Sequence, residues 1–333
     1  MRPTELKQFL KFSFKNSFPI LVKGSPGIGK TDIVVSAAKK LKYDLIVAHP
    51  VVDNPIDYKG LGTIVDGEAV FLPYGIAKRV INAKKPLILF FDDLGQAVPA
   101  VQSAVMQWLL NGAINGIEIS KHVRFAAATN RRQDKANVSG ILEPVKSRFV
   151  SIIELKVDSD DWIAWAVKHK MPDTLIHYIQ WRPAMLNNFV PTRDIENSPC
   201  PRTVANVGRM INAGLKENLM LEAITGAVGT AFASEYTAFM KVYKELPTVK
   251  EILADPANCR LPNEISAKFA IMGVVIDNVT IDNIGKFLTY LDRLGSEITT
   301  ATMKLLSVKK PDACKNTAYV NWAITNTKHF KMR

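Results

Sequence analysis

The sequence has little cysteine and no long hydrophobic run, and both absences narrow the class of protein. Among 333 residues there are 3 cysteines, and their spacing fits neither a metal site nor a redox pair. We therefore expect reduced thiols and a cytoplasmic setting. The longest apolar run, Pro86 to Phe91, is too short to span a membrane, and the first residues lack the pattern of a secretory signal.

Acidic residues are fewer than basic ones. The chain has 43 Lys and Arg against 31 Asp and Glu, which gives a formal net charge of +12 and permits binding to nucleic acid or another acidic partner. The basic residues are scattered, however, with Lys328 to Arg333 as the densest cluster, and no aromatic-basic stacking platform is evident.

Repeats and low-complexity tracts are absent from the sequence too. The length suits two globular domains.

A glycine-rich loop is the most informative stretch that the chain does contain. Gly24-Ser25-Pro26-Gly27-Ile28-Gly29-Lys30-Thr31 matches G-x-x-x-x-G-K-[ST], a loop whose backbone N–H groups cradle phosphates. The apolar run from Pro19 to Val22 is sized for a buried strand, and Asp32 to Leu41 has apolar residues at helical spacing. A helix start directs its N–H groups and positive dipole end at anionic oxygens. The order strand, loop, helix predicts a nucleoside triphosphate site.

Two side chains of this loop have specific predicted roles. The Lys30 ammonium would reach the β- and γ-phosphates, and the Thr31 hydroxyl would hold Mg²⁺. The whole loop supplies the predicted nucleotide-binding residues, which are Gly24, Ser25, Pro26, Gly27, Ile28, Gly29, Lys30 and Thr31.

A second informative stretch is the apolar run from Leu87 to Phe91, which Asp92 and Asp93 follow directly. In open α/β sheets, ligands bind at the carboxyl ends of the strands. In triphosphatases with this loop, one acid holds Mg²⁺ and another group orients or deprotonates the attacking water. We therefore predict Asp92 as a magnesium ligand and Asp93 as the general base.

Further patterns complete an α/β first half. Strands are predicted over 44–48, 123–130 and 150–155, and helices over 5–15, 76–83 and 99–110. Asp66-Gly67 and Asn115-Gly116 each lie between short apolar runs, which is typical of β-hairpins. The segment from His49 to Gly62 contains several Pro and Gly residues and is predicted to be a loop.

From about Lys156 the pattern is helical throughout. Helical windows cover 161–170, 173–180, 203–216 and 219–246, with more between 265 and 324. These patterns predict two domains. The first, over 1–155, is a parallel α/β sheet flanked by helices, and the second, over 156–333, is a helical lid with further C-terminal helices.

These motifs, taken together, resemble those of the AAA+ ATPases and, within them, of the MoxR-like branch. The glycine-rich loop resembles the Walker A loop, and Phe91-Asp92-Asp93 resembles the end of Walker B. The run from Asp92 to Gln102 is similar to the branch pattern D-E-[IL]-N-R-A-P-P-x-V-Q. The likeness is specific over about residues 15–155 and weaker to about residue 216.

The resemblance implies roles for three more residues. Asn130 matches the sensor 1 position, where its amide would hold the attacking water, and a capping amide is the plainer alternative. Arg148 matches the arginine finger that is inserted into the neighbouring subunit's site, where it neutralises charge on the transferred phosphoryl group. Arg202 matches the sensor 2 arginine of the lid. For these arginines the plainer alternatives are a surface cation and a salt bridge.

Two departures from the family pattern affect the predicted chemistry. Asp93 stands where the family usually has Glu, and its carboxylate is one methylene shorter. Because a misplacement of about 1 Å can cost about a hundredfold in rate, we expect slow hydrolysis. Gly95-Gln96 replaces the family's Asn-Arg pair, so a role in the same subunit for that arginine is doubtful.

The leading functional hypothesis is Mg²⁺-dependent ATP hydrolysis in a ring, by resemblance a hexamer, coupled to remodelling of a protein complex. The resemblance also implies a partner with a von Willebrand A domain and places both hairpins toward a central pore, while simple protective loops are the plainer alternative for the hairpins. ATP is preferred over GTP by resemblance, and no Asn-Lys-x-Asp guanine-reading motif is evident. Two alternatives stay open. One is a nucleic-acid motor or loader, and the other is a nucleotide-gated binding module that barely hydrolyses.

Overall fold

A computed structural model describes residues 1–134, 140–192 and 194–326 of the chain. Its contacts divide the chain into two compact units. The first is built mainly from Met1–Asp158, and the second mainly from Ser159–Val190 and the residues after 193. The predicted domain boundary at residue 155 lies near the end of the first of these segments. The basic cluster from Lys328 to Arg333 lies outside the described residues.

The first unit is an α/β sheet with helices on both faces. Within the described residues, five parallel strands are arranged in the order β2-β5-β8-β1-β9, and two separate hairpins pair β3 with β4 and β6 with β7. In chain order its elements are α1 (Pro3–Lys15), β1 (Ile20–Lys23), α2 (Lys30–Leu41), β2 (Asp44–Ala48), α3 (Pro55–Lys59), β3 (Leu61–Val65), β4 (Glu68–Leu72), α4 (Gly75–Ile81), β5 (Leu87–Phe91), α5 (Pro99–Asn111), β6 (Ala113–Ile114), β7 (Ile117–Glu118), β8 (Val123–Thr129), α6 (Glu143–Lys146) and β9 (Ser151–Glu154).

Strand β5 shows why the central strands are apolar at every position. Leu87, Leu89 and Phe91 pack into the core on the α5 side of the sheet, while Ile88 and Phe90 pack into the core formed with α1 and α2. Because successive side chains of a strand point to opposite faces, a strand covered on both faces has no polar side. The predicted parallel sheet flanked by helices is therefore confirmed.

The predicted loop from His49 to Gly62 is wrong in its second half, where α3 forms. Pro55 occupies the first turn of this helix, a position where its missing N–H costs nothing. The Asn54 backbone N–H donates to the Asp57 carboxylate (2.8 Å), and Gly60 ends the helix with a φ of 94°. The Pro and Gly residues that indicated a loop are thus the boundaries of a short helix. Both predicted hairpins are confirmed.

The second unit is helical in its described residues. Its helices are α7 (Ser159–Lys168), α8 (Asp173–Trp181), α9 (Pro201–Asn212), α10 (Glu217–Val228), α11 (Thr230–Lys244), α12 (Val249–Ala254), α13 (Ile265–Asn278), α14 (Ile284–Asp292), α15 (Ser296–Lys309) and α16 (Thr317–Thr325). The single helix predicted over 219–246 is wrong, because Gly229, with a φ of 84°, separates α10 from α11. No helix in the described ranges is both long and apolar enough to cross a membrane.

Candidate nucleotide site

The glycine-rich loop lies at the carboxyl edge of the sheet, between β1 and α2. Gly27 and Gly29 have φ values of 73° and 91°, a region that side-chain-bearing residues rarely adopt. The Gly24 backbone N–H donates to the Thr129 carbonyl at the end of β8 (3.2 Å). A Cβ at Gly24 would overlap Ile28. The loop conformation therefore depends on glycine at these positions.

Lys30 is the first residue of α2, and its ammonium lies under the loop. Lys30 is 7% exposed. Its Nζ donates to the carbonyls of Gly24 (2.9 Å) and Ser25 (3.0 Å) and to Oδ1 of Asn130 (2.7 Å). The fold thus holds a buried cation at the start of a helix, where the dipole also favours anions.

Thr31 and Asp92 meet next to this lysine. The Thr31 hydroxyl donates to Oδ2 of Asp92 (2.6 Å). Asp92 is 9% exposed, and its backbone N–H donates to the Ala48 carbonyl at the end of β2 (2.9 Å). Hydroxyl and carboxylate oxygens are the hard ligands that Mg²⁺ binds together with water and substrate phosphates. The pair therefore fits a magnesium ion that a bound triphosphate would share.

Asn130 connects Lys30 to Asp93. While its Oδ1 accepts from Lys30, its Nδ2 donates to Oδ1 of Asp93 (3.2 Å). Asp93 has left-handed backbone angles, with φ 55° and ψ 34°. Asp and Asn tolerate this region better than other non-glycine residues because their short side chains can form local hydrogen bonds. This backbone gives a physical reason why Asp occupies the position where the family usually has Glu.

Glycine at position 95 also has a structural reason. A Cβ at residue 95 would overlap the Thr129 hydroxyl, and it would lie 3.2 Å from the Thr129 Cβ and 3.3 Å from Ile141. The turn after Asp93 therefore packs directly onto the end of β8. No larger residue fits unless Thr129 moves.

A second polar network, which the sequence did not predict, braces the start of the loop. The Arg131 guanidinium binds the Asp134 carboxylate through Nε (3.1 Å) and Nη2 (2.9 Å) and also donates to the Ser25 hydroxyl. Asp134 is 5% exposed, and its hydrogen bond raises the pKa of Arg131. The only sequence signal was that Arg131 directly follows Asn130 and has an acid three residues later.

Glu154 at the end of β9 extends this network to the sheet edge. Its carboxylate lies 3.6 Å from Arg131 and 3.3 Å from Lys23. The Lys23 ammonium lowers the pKa of Glu154 through this contact, with a smaller contribution from Arg131. The loop start, the end of β8 and the end of β9 are thus connected by ionic contacts.

Gln102 is a buried link between α5 and the segment that precedes Arg148. It is 1% exposed. Its Nε2 donates to the carbonyls of Ala97 (3.0 Å) and Gly140 (2.9 Å), and its Oε1 accepts from the Leu142 N–H (3.1 Å). The helix that follows the two acids is therefore fastened to the start of α6. The glutamine was part of the family-like run, but its contacts could not be read from the sequence.

The two predicted arginines lie outside this cluster of contacts. Arg148 follows α6 in a turn, and its Nη1 donates to the Ser147 hydroxyl (3.1 Å). In the ranges that the structure describes, it forms no ion pair with a carboxylate. Arg202 is the second residue of α9 in the second unit, and it is exposed. The structure thus brings together Lys30, Thr31, Asp92, Asp93 and Asn130.

This arrangement defines a P-loop triphosphatase fold. A glycine-rich loop joins a parallel strand to a helix, and acids from a neighbouring strand lie beside it. Residues 20–157 match the sequence profile of the ATPase family associated with various cellular activities (AAA). The chain therefore contains an AAA ATPase domain, which spans most of the first unit. No curated protein matches the sequence.

Solved structures match this chain at low similarity. The branch migration motor RuvB of Thermotoga maritima is 17% identical, with 88% of this chain and 87% of that chain covered and a TM-score of 0.42. A variant of the same protein is 16% identical, with 94% and 86% covered and a TM-score of 0.42. NtrX of Brucella abortus is 16% identical, with 92% and 67% covered and a TM-score of 0.42. Similarity this low identifies neither the substrate nor the partner of the present chain.

Proposed function

We propose that this protein is a Mg²⁺-dependent ATPase. The observation that carries the proposal is the connected set of contacts at the carboxyl edge, in which Lys30, Asn130 and Asp93 are bonded in series beside the Thr31–Asp92 pair. Each of these groups has a role in phosphoryl transfer, and they come from three separate elements. A purely structural network would not need a buried lysine under a glycine-rich loop.

The proposed roles follow from the chemistry of each group. Lys30 exchanges its carbonyl partners for phosphate oxygens, and Thr31 with Asp92 holds Mg²⁺, which when bound offsets the negative charge of the phosphates. Asn130 orients the attacking water, and Asp93 accepts its proton. Because Asp93 has a short side chain and a constrained backbone, we propose that hydrolysis is slow.

We further propose that a neighbouring copy completes the site. Arg148 has no carboxylate partner in the described part of its own chain. Its Nη1 donates to the Ser147 hydroxyl, and its Nε is buried without a hydrogen-bond partner there, so the triphosphate of a second subunit's site would supply the anion that it lacks. An arginine supplied in this way contributes on the order of 10³–10⁵ in rate in related enzymes. Such an arrangement implies a ring, which we propose is hexameric, with Arg202 as the lid arginine.

The client of such a ring is proposed to be a protein, as in MoxR-like ATPases that work with von Willebrand A domain partners. The exposed hairpin β3–β4 supports this choice. Ile64 is 75% exposed, and Leu61, Phe71 and Leu72 are each at least half exposed. Apolar side chains that are exposed together in this way are typical of surfaces that bind polypeptide.

The test of the catalytic proposal is ATP turnover by the full chain with magnesium. Lys30→Ala is expected to abolish turnover, whereas Lys40→Ala, which removes an exposed lysine in the last turn of α2, is expected to leave it unchanged. Multiple turnovers by the unmodified protein would also exclude the nucleotide-gated binding module. Equal turnover by the unmodified protein and Lys30→Ala would contradict the proposal.

The test of the ring is a mixing experiment. Arg148→Ala and Lys30→Ala are each expected to be inactive alone. Together they should regain part of the activity, because a subunit with an intact Lys30 can receive Arg148 from its neighbour. Activity that stays absent at every mixing ratio, with both variants shown to co-assemble, would exclude the arginine acting in trans.

The test of the client class uses an unfolded polypeptide, reduced and alkylated lysozyme, as probe. We expect it to stimulate ATP turnover by the unmodified protein. The paired change Ile64→Ser and Phe71→Ser should remove the stimulation while basal turnover remains. Stimulation that survives this change would show that β3–β4 is not the contact surface.

A further inference from the structure

Three lysines that are far apart in the chain occupy equivalent positions at the amino edge of the sheet. Asp44 of β2 pairs with Leu87 of β5, which pairs with Val123 of β8. Lys42, Lys85 and Lys121 each precede one of these residues by two positions. The ladder begins with the N–H groups of Asp44 and Leu87, which donate to the carbonyls of Pro86 and His122, so each lysine lies in the turn just before its strand. We call these three lysines the amino-edge row.

The amino-edge row carries uncompensated positive charge. All three lysines are exposed, and Lys84 and Lys15 add exposed cations beside it. Arg124 fixes the geometry at this edge, because its guanidinium donates to the carbonyls of Phe14 (2.9 Å) and Lys121 (2.7 Å). Within the described residues, no lysine of the row has a carboxylate at ion-pair distance.

Like charges gathered at one edge repel each other. The three lysines lie in the turns just before the strands, and Lys42 has left-handed backbone angles (φ 58°). Because neighbouring strands lie about 4.8 Å apart, these turns are close together in the fold. Asp44, the acid nearest in sequence, does not relieve this repulsion by an ion pair. An anionic ligand with several regularly spaced charges would do so.

An exposed aromatic pair lies at the same edge, at the next strand. β1 neighbours β8 in the sheet, and Phe18 precedes β1 by two residues. Phe18 and Phe12 of α1 pack edge to face with their ring centroids 6.0 Å apart, and they are 38% and 55% exposed. Because Ile20 pairs with Ala126, Phe18 is level with Arg124, three residues further along the sheet than Lys121. The fold thus places exposed rings at the same edge as the row of cations, a combination that the scattered sequence positions did not reveal.

We propose that the amino-edge row and the Phe12–Phe18 pair bind single-stranded nucleic acid. The lysines contact successive phosphates, and the rings stack on bases, which is how proteins bind single strands without sequence preference. The rings favour this ligand over an acidic peptide, which has no flat aromatic bases to stack. The site lies at the opposite ends of the strands from Lys30 and Asp92, so the proposal is independent of ATP hydrolysis.

The experiment is fluorescence anisotropy of a labelled single strand of about 16 nucleotides with the full chain at several salt concentrations. The triple variant Lys42→Gln, Lys85→Gln and Lys121→Gln is compared with Lys216→Gln, Lys250→Gln and Lys304→Gln. The second variant removes the same charge from exposed positions of the second unit. Both should keep basal ATP turnover, which separates this test from that of the proposed function.

The row variant is expected to weaken binding at least about tenfold at low salt, while the control variant changes it little. The slope of log affinity against log salt should fall by about 2, since each phosphate contact of a single strand contributes about 0.7. Equal loss in both variants would overturn the proposal, because binding would then depend on net charge alone.

A second arm tests stacking and ligand class. Phe12→Ala should weaken binding of the single strand several-fold and leave the salt slope unchanged, because stacking involves no counterion release. A duplex of the same length and a poly-glutamate peptide should bind more weakly than the single strand. Tighter binding of either competitor, or no effect of Phe12→Ala, would overturn the assignment to single strands.

Discussion

The two edges of the parallel sheet in the first unit contain charged groups in opposite arrangements. At the carboxyl edge, cations and acids are bonded to each other, as in the Lys30–Asn130–Asp93 series and the Arg131–Asp134 pair. At the amino edge, the lysines of the amino-edge row precede three neighbouring strands, and the described residues provide no carboxylate within ion-pair distance of them. A parallel sheet gathers equivalent positions from distant segments at both edges. Among the described residues, only the cations of the carboxyl edge are paired with acids.

Of the changes that test this comparison, Asn130→Ala is expected to have the largest effect, which is a loss of ATP turnover at the carboxyl edge. Asn130 is the amide that connects cation and acid at the carboxyl edge, and losing one preorganised hydrogen-bonding group in a buried site costs about a hundredfold or more in turnover. The measurement is kcat for ATP. The matched control is Asn16→Ala at the amino edge, whose amide donates to the Phe12 carbonyl (2.8 Å) and should not affect kcat.

The next largest effect is expected for Asp134→Ala, which removes the buried acid of the Arg131 network. Because Arg131 itself is partly exposed to solvent, we discount the cost of a fully buried pair and expect about 2 kcal/mol of lost stability. Urea unfolding measures it. Asp312→Ala, which removes an exposed acid with the same spacing to Lys315, should leave the midpoint unchanged. Equal shifts would contradict the distinction between buried and exposed pairs.

A smaller destabilisation is expected for Gly95→Ala. The added methyl group would overlap Thr129, and overpacking of this kind costs roughly 1–2 kcal/mol. Combining it with Thr129→Ala should recover part of the loss, because the overlapping hydroxyl is removed. The control is Gly226→Ala in α10, where a Cβ has open space. If Gly95→Ala were as well tolerated as the control, the turn after Asp93 would not be packed as described.

Lys85→Glu is expected to have the smallest effect, and it should increase the stability of the protein where the other changes decrease stability or turnover. Lys85 precedes the strand that lies between those following Lys42 and Lys121, so a carboxylate there replaces repulsion between exposed charges by attraction, and exposed charge pairs contribute about 0–1 kcal/mol. We therefore expect a slightly higher urea midpoint at low salt and no gain at high salt, where the charges are screened. A lower midpoint at low salt would show that the lysines of the row do not repel each other.

The sequence was sufficient to predict which functional residues meet at the carboxyl edge of the sheet, but it did not predict that three lysines gather at the amino edge. The loop ending in Lys30-Thr31 and the acids Asp92 and Asp93 are local patterns with fixed spacing, and their chemistry dictates that spacing. Asn130 was predicted from its match to the sensor 1 position of the family, and in the structure it follows β8, the strand beside β5. The fold predicted from these patterns is the fold observed.

The amino-edge row has no local pattern, because its members are related only by strand register. Nothing near Lys42 in the chain indicates that Lys85 and Lys121 will lie beside it. The contacts of Gln102 and Arg131 were missed for the same reason, since their partners Gly140 and Ser25 lie in other segments. The roles predicted for Arg148 and Arg202 concern contacts beyond their own unit and stay predictions.

The left-handed backbone at Asp93 has a consequence for which side chains this position can hold. Exchanging Asp for Glu needs only a minimal codon change, yet the longer side chain is less compatible with that backbone geometry. A glutamate at this position would require the peptide before Leu94 to rotate out of the left-handed region. The turn is therefore a conformational barrier to replacing this short acid by a longer one.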